Sequence, residues 1–159
     1  MYALITMGHH VYDLLAQQLS ERKSDYYEMT LHHIVTIVSY FATIANNQRL
    51  GYTLFFLHDI ADIFSTMGRV ASSMTNKAFV NFVIVNLLSS WLWTRLYVLP
   101  FYIWRAIVTQ KHECVYLLQM LNIVLLCVLQ ALHIYWYVLI VGMVLHVMRT
   151  GKAEDTQSQ

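Results

Sequence analysis

Three ionisable side chains stand inside an apolar stretch, residues 55–67, which reads FFLHDIADIFSTM. They are His58, Asp59 and Asp62, and their neighbours are typical of a buried or membrane-spanning helix. A carboxylate removed from water costs several kcal/mol unless it is paired or neutralised. Aspartate and histidine side chains within a membrane usually face a cavity and mark a site. The stretch therefore indicates a functional pocket.

The preceding apolar stretch carries its polar side chains on one helical face. At 100° per residue they fall within an arc of about 140°. They are His32, His33, Thr36, Ser39, Tyr40, Thr43, Asn46 and Asn47. In the following stretch an arc of about 120° holds His58, Asp59, Asp62, Ser65, Thr66 and Arg69. Because only the link NNQRLG separates the two stretches, we expect antiparallel neighbouring helices whose polar faces share one pocket. Hydrogen bonding between helices is the alternative explanation of such stripes.

A metal site receives little support from the spacing of the eight histidines. The chain has no HxxxH or HxxHH box of the kind that membrane di-iron enzymes use. His58 and Asp62 have the i, i+4 spacing that suits two ligands of one ion, so a single ion stays open at that pair. We assign no metal ligands from the sequence.

Two other chemistries fit the same residues. Asp59 and Asp62 could carry protons or ions, although no pair of broken half-helices accompanies them. Acyl transfer fits as well, because a histidine can act as nucleophile or general base while a carboxylate orients it. Neither Thr36 nor Ser39 stands in a nucleophile elbow, which argues against a serine hydrolase. The residues alone leave the reaction open.

The composition indicates a membrane protein. Of 159 residues, 58% are hydrophobic and only 12% are charged, with a mean hydropathy of +0.49, whereas soluble domains are more polar. The formal net charge of +1 gives no indication of a nucleic-acid partner. Two cysteines, Cys114 and Cys127, form no CxxC pattern and suggest no disulfide scaffold.

Five apolar segments predict an all-α membrane protein with about five transmembrane helices. They cover Tyr2–Leu19, 30–45, 52–70, 78–104 and 115–148. The last is longer than the roughly 20 residues that cross a bilayer and must tilt, bend or project. Pro100 predicts a kink or helix end near the close of the fourth segment. The polar tail, residues 151–159, is expected in the cytosol, because five crossings place most lysine and arginine residues on its side.

The stretch HHIVTIVSYFATIANNQRLG, followed by LHDIADIF, closely resembles the Lag1 motif of ceramide synthases, a group within the TLC-domain family. The motif combines HHxxT, an asparagine, Arg-x-Gly and HDxxD. It falls here on His32, His33, Thr36, Asn46, Arg49, Gly51, His58, Asp59 and Asp62. Farther along, WTRLYVLP is similar to the TRLxxxP segment of that group, and LQALHIYWYVLI to its final transmembrane helix.

The resemblance implies a TLC-type transmembrane domain over residues 1–150 and transfer of a fatty acyl group from acyl-CoA to the amine of a sphingoid base. It implies that catalysis rests on His32, His33, Asp59 and Asp62. Substrate-binding or supporting positions are then Thr36, Ser39, Asn46, Arg49, His58 and Arg95. Acyl-CoA is a co-substrate and no cofactor is expected. The expected setting is the endoplasmic reticulum membrane, among membrane lipids, as a homo- or heterodimer.

The sequence also departs from that group. The spacing from the double histidine to Arg49 and Gly51 is one residue shorter than in typical members, and we expect the chain to begin at the group's third or fourth helix. We therefore expect either a fragment or a chain that works with a partner. The alternative function is a non-catalytic TLC-domain protein that binds or senses lipid, or an inactive fragment.

Overall fold

The described residues, 2–22, 25–45, 49–71, 76–108 and 116–150 of a computed structural model, are almost entirely helical. The helices are α1 (Tyr2–Leu19), α2 (Tyr26–Ala45), α3 (Arg49–Ala71), α4 (Lys77–Trp91), a π-helical segment (Leu92–Val98), α5 (Leu99–Val108) and α6 (Tyr116–Thr150). Since α4, the π-helical segment and α5 follow one another without a break, the described residues form five continuous helical segments. The five segments predicted from hydropathy correspond to these helical segments one by one.

Apolar side chains cover much of the outside of the bundle. Phe82, Trp93, Phe101, Val124 and Val138 are each more than half exposed. A monomeric soluble protein rarely exposes so much contiguous apolar surface, whereas a bilayer favours it. By length and composition, two stretches of the described helices are suited to cross a membrane, Lys77–Arg105 and Leu117–Arg149. Helix α6, at 35 residues, is about 52 Å long, which exceeds the ~30 Å of hydrocarbon.

The irregularity predicted at Pro100 takes the form of the π-helical segment. Proline has no N–H to offer the carbonyl four residues earlier, so a regular helix cannot continue through it unchanged. The chain instead widens over Leu92–Val98, where the N–H of Leu99 bonds the carbonyl of Thr94, five residues back. The helix then resumes as α5 and does not end at Pro100. Single π-helical turns of this kind occur frequently at functional sites.

Packing places α2 at the centre of the bundle. It lies mainly against α1 and α6, while α3 lies mainly against α4. The direct contact between α2 and α3, which we expected to be antiparallel neighbours, is small and includes the stacked rings of Tyr40 and Phe55, 3.8 Å apart between centroids. The π-helical segment bridges the two halves, because it contacts both α3 and α6. The apolar core includes Val35, Leu99, Ile103, Ile123, Leu126 and Leu129.

Candidate active site

A narrow pocket lies where the helices converge on the polar face of α2. Residues of α1, α2, α3, the π-helical segment and α6 line it: His10, His32, Thr36, Tyr40, Phe55, His58, Asp59, Asp62, Arg95 and Leu129. The polar stripes predicted on two helices therefore do face one space, although three further elements complete its wall.

Helix α2 contributes side chains at four-residue intervals. His32, Thr36 and Tyr40 line the pocket, because residues four apart lie on the same face of a helix. His33, the next residue, points about 100° away from His32 around the helix axis. It is not among the described residues that line the pocket. Its ring lies 5.8 Å from that of His10 on α1, centroid to centroid. The two adjacent histidines thus have different surroundings.

Helix α3 contributes His58, Asp59 and Asp62, the residues of the HDxxD pattern. The carboxylate of Asp62 forms an ion pair with the guanidinium of Arg95 in the π-helical segment. The Asp62 side chain is 49% exposed, whereas the Arg95 side chain is only 4% exposed. The adjacent positive charge offsets part of the free-energy cost of placing the Asp62 carboxylate within a membrane.

Arg95 is held in place by Trp91, one helical turn earlier. The guanidinium carbon lies 4.0 Å from the centroid of the Trp91 ring, a cation–π geometry. The indole Nε1 of Trp91 in turn donates a hydrogen bond to the carbonyl oxygen of His133, at 3.1 Å. One chain of contacts therefore connects α3, the π-helical segment, the last residue of α4 and α6.

His133 on α6 also belongs to this region, although it is not one of the Lag1 motif positions. Its side chain is fully buried, with ring centroids 5.1 Å from His58 and 5.9 Å from His32. Among the described residues neither ring nitrogen of His133 has a hydrogen-bond partner. Periodicity along α6 alone does not predict its contact with two other histidines.

The other predicted residues lie in different places relative to the pocket. Ser39 is fully buried, and it does not line the pocket in the part of the chain that is described. Asn46 and the side chain of Arg49 lie outside the described residues. His10, which lies outside the Lag1 motif, also lines the pocket. Among the described residues, His10, Asp13 and His33 form a group of three side chains whose donor atoms could hold one ion.

A helical membrane protein with a histidine and aspartate pocket at its centre is the class that these features define. The family model described as the TLC domain (TRAM_LAG1_CLN8) matches residues 1–142. The chain belongs to the TLC-domain family. The resemblance noted from the Lag1 motif is thereby confirmed at the level of the family.

The individual relatives carry names from the ceramide synthase group. The chain is 31% identical to ceramide synthase hyl-1 of Caenorhabditis elegans, over 99% of the chain and 47% of that protein. It is 32% identical to ceramide synthase LOH1 of Arabidopsis thaliana, over 98% of the chain and 54% of that protein. It is 26% identical to sphingosine N-acyltransferase lag1 of Schizosaccharomyces pombe, over 99% and 44%.

The chain spans about half the length of the first curated relatives it matches. No solved structure shows a significant match to it.

Proposed function

We propose that the chain carries the acyl-transfer site of a sphingoid-base N-acyltransferase, a ceramide synthase. The observation that supports this most is the convergence of His32, Asp59 and Asp62 on one pocket. An imidazole and carboxylates are the groups that an amine acylation needs, because a long-chain amine is largely protonated at neutral pH and must lose a proton before it attacks. The name of one relative, sphingosine N-acyltransferase, supports a sphingoid base as the acceptor, and a fatty acyl-CoA is the acyl donor that we propose.

His32 is the residue that reacts. Its imidazole nitrogen attacks the thioester carbonyl, an N-acyl bond forms, and the C–S bond breaks to release the CoA thiolate. The amine of the sphingoid base then attacks the acyl-imidazole, which restores the free imidazole and leaves the amide. General base catalysis by the same ring, with both substrates bound together, is the competing route.

Asp59 and Asp62 have different electrostatic roles. Asp62 is already paired with Arg95, so its charge is shared with a fixed cation. Asp59 lines the same pocket one residue after His58 and accepts the proton of the incoming ammonium. His33 and Ser39, buried beside the pocket, act as supports of His32 and of the α2 backbone. Thr36, with its hydroxyl buried and unbonded among the described residues, hydrogen-bonds the polar end of a substrate.

The setting proposed is the endoplasmic reticulum membrane, with the C-terminal tail in the cytosol. Acyl-CoA serves as co-substrate, and the acyl transfer itself uses no cofactor. The mature enzyme works as a homo- or heterodimer among membrane lipids.

Membranes that contain the full chain test the proposal directly. They are incubated with labelled sphinganine and a series of acyl-CoAs, and the N-acylated product is measured. We expect product from the unaltered chain and a loss of at least about 100-fold for His32→Ala. His146→Ala, a histidine outside the pocket lining, is the matched control and keeps its activity. Binding of sphinganine without product indicates the alternative, a lipid-binding TLC protein.

A further inference from the structure

Helices α1 and α2 bring three metal-ligating side chains together on the side of α2 that carries His33. One donor atom each of His10, Asp13 and His33 lies within 4.8 Å of the other two. Ligands of a single zinc ion, at bond lengths of about 2.0–2.2 Å, lie roughly 3.5 Å apart. Small side-chain rotations therefore suffice to bring the three donors around one ion.

The two histidines of this cluster are buried and incompletely satisfied. His10 is 8% exposed and His33 is 7% exposed. The Nδ1 atom of each is buried and has no hydrogen-bond partner among the residues that the structure describes. Buried polar atoms in proteins are nearly always partnered. Two such imidazoles beside one carboxylate are the donor set that first-row divalent ions take up.

Asp13 supplies the negative charge of the cluster, and His9 orients the Asp13 carboxylate. The carboxylate is one helical turn from His10, at i, i+3, and faces His33 across the helix interface. The Nε2 atom of His9 lies 3.3 Å from the Asp13 Oδ2 atom, as expected of an outer partner that holds a ligating carboxylate in place. With 35% of the Asp13 side chain exposed, an ion can enter and a water can complete a tetrahedron.

We propose that His10, Asp13 and His33 bind one divalent transition-metal ion, of which Zn²⁺ is the natural probe, and that the ion fastens α1 to α2. Near the turn between the two helices, Gln17 already donates hydrogen bonds to the Tyr26 carbonyl and the Thr30 hydroxyl. The ion forms a second attachment farther along the same interface. Because His33 is adjacent to His32, a metal on one ring sets the rotation of α2 that turns the other ring to the pocket.

The ion performs no step of the proposed acyl transfer and acts on it only by positioning His32. This site also differs from the pair His58 and Asp62, which spacing alone left open for an ion. The adjacent histidines are thereby assigned separate tasks, one for the pocket and one for the metal.

The first test is the metal content of the full chain, purified in detergent through a histidine-free tag from cells supplied with zinc. We expect about one Zn²⁺ per chain in the unaltered protein, and at least a fivefold lower content in His10→Ala, Asp13→Asn and His33→Ala. His146→Ala removes a histidine outside the cluster and keeps the zinc. Zinc in His33→Ala equal to that of the unaltered protein overturns the proposal.

The second test uses only the unaltered protein, so that misfolding of a variant cannot decide the result. The chain is stripped with a chelator, and its melting temperature is followed as Zn²⁺ is returned. We expect the temperature to fall on stripping and to recover at about one equivalent, because an ion that binds only the folded state stabilises it. A stripped chain with an unchanged melting temperature and no saturable uptake of Zn²⁺ overturns the site, whether or not the protein acylates sphinganine.

Discussion

Arg95 and Asp62 form an ion pair across 33 residues of sequence, from the π-helical segment to α3. The arginine is buried and the aspartate is half exposed, facing the pocket. Removal of the carboxylate therefore leaves a buried cation, which is costlier than the loss of the pair itself. The pair connects the position of α3 to the unusual helical turn in which Arg95 lies.

Substitution of Arg95 should affect stability and acyl transfer together. We expect Arg95→Ala to lower the free energy of unfolding by about 2 kcal/mol, less than a fully buried pair because Asp62 is half exposed. We expect N-acyl product to fall by about 10–100-fold, since Asp62 loses the charge that holds it. Thermal melting in detergent and the sphinganine assay measure the two effects. Arg105→Ala, which removes an exposed arginine of α5, should change neither.

A double-mutant cycle separates pairing from other roles of Arg95. If the two side chains act through each other, Arg95→Ala combined with Asp62→Asn loses little more activity than either single change. Fully additive losses contradict the coupling. They would mean that Arg95 serves the reaction through another contact.

His133 should act as a positioning residue for His32 and His58. We expect His133→Ala to reduce turnover of sphinganine by about tenfold or more, and to destabilise the chain by about 2–4 kcal/mol through the cavity it opens. His133→Gln fills much of that cavity, so stability should partly return while turnover stays low. Ile134→Ala, on the exposed side of the same helix, is the control. Normal turnover in a folded His133→Ala protein contradicts the role.

The helices of this chain were predictable because local sequence determines them. The apolar runs, the polar link after α2 and the polar arcs on α2 and α3 each follow from helical periodicity. Asn76 adds a helix cap: its side-chain oxygen accepts hydrogen bonds from the N–H groups of Ala78 and Phe79. His32 and the residues of HDxxD line one pocket, as expected, because α2 and α3 each have one polar face that packing must bury.

The partners across the bundle were not predictable in the same way. The burial of His133 between two other histidines depends on the packing of α6 against α2, which periodicity within one helix does not determine. Helical geometry predicts only that His32 and His33 point about 100° apart. It does not predict which residues each ring contacts. The π-helical turn depends on Pro100 and on tertiary contacts of Arg95 together.

The orientation of the chain gives a prediction that needs no enzymatic assay. Positive residues predict the C-terminal tail in the cytosol. We expect an acceptor site for N-glycosylation, added after residue 159, to stay unmodified in microsomes. The same acceptor placed in the link between α2 and α3 should become modified, because five crossings with a cytosolic tail put that link in the lumen. Glycosylation of the C-terminal acceptor contradicts the orientation.

Release of CoA in the absence of a sphingoid base should reveal whether His32 carries the acyl group. If the imidazole attacks the thioester first, acyl-CoA alone yields a burst of about one CoA per active site, followed by slow hydrolysis. His32→Ala should abolish the burst, whereas Asp59→Asn should leave the burst and slow the second step, because the acylated ring then waits for a deprotonated amine. Thiol titration after rapid mixing measures the burst, and mass spectrometry of the intact chain detects the added acyl group. A release of CoA that begins only when sphinganine is added contradicts the covalent route, since general base catalysis requires both substrates in the pocket before any bond to sulfur breaks.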